Sequence, residues 1–215
     1  MEYLRFFIDF VLHIDRHLFE IVSQYQTYTY LILFIIVFCE TGLVVTPFLP
    51  GDSLLFAAGT IAAMPGQPID IKLVILTFFV AALSGDNTNY WTGRFLGHKV
   101  YEKNYRLIKR KYLDKTHTFY EKHGGKTIII ARFMPIIRTF APFVAGIGTM
   151  KYVRFFSFSV LGNIIWTFLF CLTGFFFGNI PFIQKNFTMV ILAIILISLL
   201  PPVIAVLKAK LSRAD

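Results

Sequence analysis

Residues 126–148 read KTIIIARFMPIIRTFAPFVAGIG. Arg132, Arg138, Pro135 and Pro142 stand in a run that is otherwise apolar or small. Such a run suits a bilayer, yet guanidinium groups are permanently charged and proline interrupts helices. Irregular backbone at membrane depth persists only where it is buried in protein or lines a watery cavity. The stretch therefore predicts breaks at Pro135 and Pro142, a cavity between the segments, and arginines that face this cavity and not lipid. On an uninterrupted helix the two arginines would point about 120° apart. A break at Pro135 allows them to converge on one anion, for which the planar guanidinium fork is suited.

The rest of the chain agrees with a membrane setting. Its 215 residues are 56% hydrophobic and 15% charged, against about 25% charged in soluble domains, and the mean hydropathy is +0.67. Residues 71–93, 152–178 and 187–207 are apolar runs near the roughly 20 residues that cross a bilayer as a helix. The start, MEYLRFFIDFVLHIDRHLFEIV, differs: apolar residues recur at helical spacing, interrupted by Asp9, His13, Asp15 and Arg16. It predicts an amphipathic interfacial helix over 1–27 in place of a span or a cleavable signal. Cys39 and Cys171 lie far apart in apolar runs and read as small buried hydrophobes.

The formal charge of +9 is concentrated in a basic loop, 94–125, and in Lys208, Lys210 and Arg213 at the end. The excess of Lys and Arg in short loops places both in the cytoplasm. The loop is expected to hold an amphipathic helix around 112–123, and its charge fits anionic lipid headgroups better than nucleic acid. Residues 209–215 form the tail.

These features predict an all-α polytopic membrane protein. Two regions, 28–63 and 126–150, are apolar, interrupted near the middle by Pro and Gly, and charged beside the interruption. Each is expected to be re-entrant, entering and leaving the membrane on one side. TPFLPG at 46–51 echoes APFVAG at 141–146, and TGRFLG at 92–97 echoes TGFFFG at 173–178. Echoes in the same order point to a duplication, and the crossings make its two halves inverted. Paired, interrupted segments at corresponding positions mark a transport site at a repeat interface. A last helix, containing Pro201 and Pro202, returns the C terminus to the cytoplasm.

Glu40 follows LILFIIVFC, and an acid at that depth is a functional candidate by default. It reads either as a group that loads and releases a proton or as the static partner of an arginine. Asp52, in PGDSLL, reads as a proton-coupling group or as a helix N-cap. Asp86 lies in SGDNTNYWTGR, a cluster too polar for lipid; it lines the cavity or pairs with an arginine. Pro50, Gly51, Pro135 and Pro142 line the same cavity at the breaks. Trp91 and Trp166 read as packing or interface residues. The sequence has no G-x-S-x-G, P-loop or H-E-x-x-H pattern, and Ser53 and Ser84 have no evident His partner. His117 and His123 lack further ligands for a metal. No enzyme, metal or cofactor is expected.

ETGLVVTPFLPGDSLL at 40–55, GDNTNYWTGRFLG at 85–97, YLDKTHTFYEKHGGK at 112–126 and ARFMPIIRTFAPFVAGIG at 131–148 together resemble the DedA family of bacterial inner-membrane proteins, relatives of eukaryotic VTT-domain proteins. The resemblance covers essentially the whole chain and is weakest over the N terminus and last helix. It implies two opposed re-entrant segments in a plasma-membrane protein tied to membrane homeostasis, proton-motive force and cell division. It also implies transport of undecaprenyl phosphate or flipping of phospholipids. The family's functional acids match Glu40 and Asp52, and its functional arginines match Arg132 and Arg138. The expectation is a transporter of a phosphate-bearing lipid. In it, Arg132 and Arg138 bind the headgroup, and Glu40 and Asp52 couple its movement to protons or gate the site. Two alternatives stay open: a proton-coupled exporter of small cations or drugs, and a membrane scaffold acting through residues 99–123. The oligomeric state, a homo-oligomer included, is not readable from sequence.

Overall fold

A computed structural model describes residues 14–43, 51–103 and 124–186, with 189, 190, 192–194 and 196. The expected helix around 112–123, the span 187–207 in most of its length, Pro50 and the C-terminal tail lie outside the described residues. Within them the chain is helical: α1 Ile14–Tyr25, a 3-10 turn Gln26–Tyr28, α2 Thr29–Gly42, α3 Gly51–Ala62, α4 Ile71–Lys103, α5 Lys126–Arg132, α6 Pro135–Ile147, α7 Tyr152–Phe177 and α8 Pro181–Lys185. Two compact units are formed, one from residues 1–31, 50–75 and 168–215, the other from 32–49 and 76–167.

Three stretches are long and apolar enough to cross a membrane: Glu20–Gly42 (23 residues), Ile71–Gly97 (27) and Tyr152–Phe177 (26). The chain is an all-α polytopic membrane protein. The first stretch starts inside the expected N-terminal helix and takes in the first half of the 28–63 region. By contrast α3, with 12 residues, and α6, with 13, are too short to cross at 1.5 Å per residue. Helix α4 continues through Lys103, past the expected boundary at 93. Charge ends a membrane span there but does not end a helix, because Arg and Lys are good helix formers. Its start is fixed by Asp70, whose Oδ1 accepts from the Lys72 amide at 2.7 Å, an N-cap.

The two prolines of the opening stretch behave differently. Met134 is extended (φ −117°, ψ 104°) and Pro135 takes the first turn of α6, where its missing N–H is not needed. Pro142 does not break the chain; it sits inside α6. It only withholds the amide that would have bonded to the Arg138 carbonyl, a loss that membrane helices tolerate.

The duplication is visible as the same helix crossing in each unit. In one unit, a Cβ on Gly93 would strike the Phe143 carbonyl, one on Gly146 the Tyr90 carbonyl, and one on Gly97 would lie 3.1 Å from Ile147 Cα. In the other, a Cβ on Gly174 would strike the Phe56 carbonyl, one on Gly59 the Cys171 carbonyl, and one on Gly178 the Thr60 side chain. Residues 90, 93 and 97 thus correspond to 171, 174 and 178, and residues 143, 146 and 147 to 56, 59 and 60. The TGRFLG and TGFFFG echo is the true register. The other echo is displaced: FVAGI at 143–147 matches FAAGT at 56–60, not TPFLPG at 46–51. Small residues at such crossings let membrane helices approach backbone to backbone.

Overpacking a fitted contact destabilises by about 1–3 kcal/mol. Gly93→Ala and Gly174→Ala are therefore expected to lower the melting temperature in detergent. Gly162→Ala, whose Cβ would find its nearest neighbour at 3.5 Å, is expected to leave it unchanged.

Candidate functional site

Four of the five buried charged residues among those described belong to one unit: Glu40 (0% exposed), Asp86 (1%), Arg132 (3%) and Arg138 (3%). They come from four helices. Glu40 lies near the end of α2, Asp86 at the middle of α4, Arg132 at the last position of α5 and Arg138 in the first turns of α6. At 1.5 Å per residue, Asp86 is about 22 Å along a span of roughly 39 Å. Trp166 on α7 is about 21 Å along one of roughly 37 Å. Asp86 and Trp166 therefore lie near the middle of their helical spans, whereas Glu40 lies near the end of Glu20–Gly42.

Close backbone approach sets the geometry. A Cβ on Gly42 would lie 3.1 Å from Gly85 Cα, and one on Gly85 would strike the Thr41 side chain. This brings the end of α2 against α4 one residue before Asp86. Asn89 Nδ2 then donates to the Thr41 carbonyl at 2.6 Å and to the Thr139 carbonyl at 3.2 Å. One side chain thus ties the end of α2 and the second turn of α6 to α4, and the Thr41 carbonyl it satisfies is one that a helix terminus leaves open.

Asp86 accepts four hydrogen bonds. Arg132 Nη1 donates to its Oδ1 at 2.7 Å and to its Oδ2 at 2.8 Å. Oδ2 also accepts from Ser159 Oγ at 2.6 Å and Asn163 Nδ2 at 2.8 Å. The Asn163 amide oxygen accepts from Arg132 Nη2, so Asn163 joins both ions. Arg138 Nη2 donates to Glu40 Oε1 in a second buried ion pair. Beneath both pairs lies the fully buried indole of Trp166. Its ring centroid is 4.9 Å from Arg132 Cζ and 5.3 Å from Arg138 Cζ, within cation–π range. Two guanidiniums and two carboxylates sum to zero charge. Arg132 Nε is buried without a hydrogen-bond partner, a donor still available to an incoming acceptor.

Residues 49–176 match the VTT domain. The chain belongs to the DedA family of VTT-domain membrane proteins. It is 52% identical to Protein DedA of Escherichia coli K12 over 215 residues, covering 100% of this chain and 98% of that one. An uncharacterized membrane protein of Mycobacterium tuberculosis is 41% identical over 184 residues, 85% of this chain and 81% of that protein. Inner membrane protein YqjA of E. coli K12 is 32% identical over 157 residues, 73% of this chain and 70% of that one. No solved structure matches the chain. The VTT domain match contains Asp52, Asp86, Arg132 and Arg138; Glu40 lies before it.

The expected site residues separate in this VTT-domain protein. Arg132, Arg138, Glu40 and Asp86 come together. The arginines share one indole, but each faces a carboxylate. Asp52 is buried in the other unit, in the first turn of α3. Gly51 begins α3 and is buried, as is Pro142 inside α6. Ser159, Asn163 and Trp166 were not singled out as site residues from sequence. Their spacing of four and three places them on one face of α7, and Ser and Asn on one face of an apolar helix was the available signal. Trp91, the other tryptophan, is 52% exposed and packs on Tyr152 at 5.4 Å.

Removing one member of a buried ion pair costs about 3–5 kcal/mol, because its partner is left uncompensated. Asp86→Ala is expected to lose that much unfolding stability, and Asp86→Ala combined with Arg132→Met to recover most of it. A double-mutant cycle in detergent measures the difference.

Proposed function

We propose that this protein moves a phosphate-bearing lipid headgroup, such as that of undecaprenyl phosphate or a phospholipid, across the bacterial inner membrane. In this reading Arg132 and Arg138 bind the phosphate, and the lipid tail stays in the bilayer. Glu40 takes and returns a proton as the headgroup enters and leaves. Asp52 contributes a second acidic group on the opposite repeat. The basic loop and C terminus face the cytoplasm.

The observation that carries the reading is the pair of guanidiniums on one buried indole, with Arg132 Nε available as a donor. Buried arginines that served packing alone would gain nothing from an open donor, whereas phosphate oxygens accept N–H donors from a planar fork. Ionisable groups this deep mark transport pathways. The short helices α3 and α6 fit re-entrant half-helices of a repeat-built transporter. Membership of the DedA family and the inner-membrane naming of YqjA support the location.

Purified protein in liposomes tests this. Labelled polyprenyl phosphate and labelled phospholipids are offered in parallel, with and without a pH gradient. Protein-dependent flipping of a phosphate lipid is expected. It is expected to be lost in Arg132→Ala and Arg138→Ala proteins confirmed folded, and to fall about tenfold or more in Arg138→Lys, which keeps the charge but not the fork. No flipping of any lipid, or equal flipping by the arginine variants, would overturn the proposal.

A further inference from the structure

We infer that the exposed rings of Trp91, Tyr152 and Phe156, with Arg94 and Lys151 beside them, form a surface site for one anionic glycerophospholipid. Its phosphate lies on the two cations, and its glycerol and upper acyl chain lie on the rings. The site is separate from the buried arginine pairs, and the inference does not depend on any lipid crossing the membrane.

The rings are held from behind. Tyr90 and Phe155, both fully buried, stack at 4.4 Å. Tyr90 meets Trp91 edge-on at 5.6 Å and lies 5.6 Å from Tyr152. Trp91 is 5.4 Å from Tyr152, and Phe156 is 5.7 Å from it. The Tyr152 hydroxyl donates to the Asn87 amide oxygen at 2.8 Å, and Asn87 Nδ2 donates to the Leu83 carbonyl at 2.7 Å. Trp91, Tyr152 and Phe156 are nonetheless exposed. Trp91 lies about 30 Å along α4 from Ile71, which matches a hydrocarbon core of about 30 Å. Tyr152 is the first residue of α7. Both rings thus stand at the end of a span, the depth at which Trp and Tyr meet lipid headgroups.

The neighbouring charge is uncompensated by the chain. Arg94 Nη1 donates to the Tyr90 hydroxyl at 3.0 Å, and that hydroxyl donates to the Met150 carbonyl. One phenol oxygen therefore links the Arg94 guanidinium to the peptide bond that leads into Lys151. Both cations are exposed. Among the described residues, Arg132 and Arg138 form ion pairs with acids, and Arg94 and Lys151 do not. Lys151 stands just before α7, its carbonyl accepting from the Phe155 amide at 3.0 Å. The first turn of this 26-residue helix has no acid. A cation at the positive end of a helix dipole is unfavourable, and an anion there is favourable. Arg154, the other cation of that turn, is left out. Its Nη2 would be 2.7 Å from a Cβ on Gly124, so it lies against that glycine.

The combination selects the ligand. Free phosphate would use the cations and leave the rings uncovered. A zwitterionic lipid would bring its own cation against Arg94 and Lys151. An anionic lipid uses both halves of the site.

Lipids with brominated acyl chains quench a tryptophan they touch, and Trp91 is exposed whereas Trp166 is fully buried. Full-length protein is reconstituted in phosphatidylcholine with increasing brominated phosphatidylglycerol, and in phosphatidylglycerol with increasing brominated phosphatidylcholine. The anionic lipid is expected to occupy the Trp91 surface about fivefold or more over the zwitterionic one, the scale of one cation near a membrane surface. The preference is expected to fall to near unity when Arg94→Gln and Lys151→Gln are combined, and to remain in Arg154→Gln and in excess inorganic phosphate. It is expected to be absent from Trp91→Phe protein. Equal quenching by the two lipids would overturn the inference. So would a preference that survives the double variant or Trp91→Phe, or one abolished by Arg154→Gln or by inorganic phosphate. Flipping is not read in this experiment, so this site and the proposed transport stand or fall separately.

Discussion

Two guanidinium groups held out of water inside a membrane protein require compensation, and the unit around them is arranged to supply it. Each arginine has its own carboxylate, from α4 and from α2, and both lie on one indole from α7. Helix α2 is brought to α4 by a glycine-to-glycine contact at Gly42 and Gly85. Asn89 fastens the end of α2 and the second turn of α6 to that same helix. The break at Phe133 and Met134 separates Arg132 from Arg138 by a change of direction, which lets two residues of one stretch reach different acids. Such pairs contribute little net stability compared with an apolar core, while loss of one member is severe. A stability role alone gives no reason to have them.

A neutral cluster is also the natural resting state of an anion site that must be passable. Arginines left bare would hold a phosphate too tightly or draw in water. Arginines occupied by carboxylates exchange one acceptor for another, and the free-energy difference between the two states stays small. The duplication sharpens the point. On the shared crossing register the counterpart of Asp86 is Thr167 and the counterpart of Arg138 is Gly51. The packing scheme is thus present twice, and among the described residues the positions of Asp86 and Arg138 carry charge in one copy and not in the other.

Much of this was legible in the chain, and the reasons differ by residue. Arg132, Arg138, Glu40 and Asp86 stand out because a charge in an apolar run has no bland explanation. Pro135 announces a helix start for the same local reason. Pro142 reads identically in sequence, but inside a buried membrane helix the loss of one hydrogen bond is tolerated, and only tertiary context reveals that. The extension of α4 to Lys103 was hidden because hydropathy reports the end of a span, not of a helix. Ser159, Asn163 and Trp166 escaped because averaging over α7 dilutes two polar side chains among many apolar ones. The displaced echo arose from matching proline positions, whereas the glycine contacts fix the register.

The central claim is that both arginines and the Trp166 indole form one anion-responsive site. The chain has two tryptophans, so Trp91→Phe leaves Trp166 as the sole indole fluorophore. Titrating that protein in detergent with polyprenyl phosphate, and in parallel with the uncharged polyprenol, is the most direct measurement. A saturable change in Trp166 emission with the phosphate alone, abolished by Arg138→Ala, is the expected result. The same response to the uncharged alcohol, or none to the phosphate, would contradict the site.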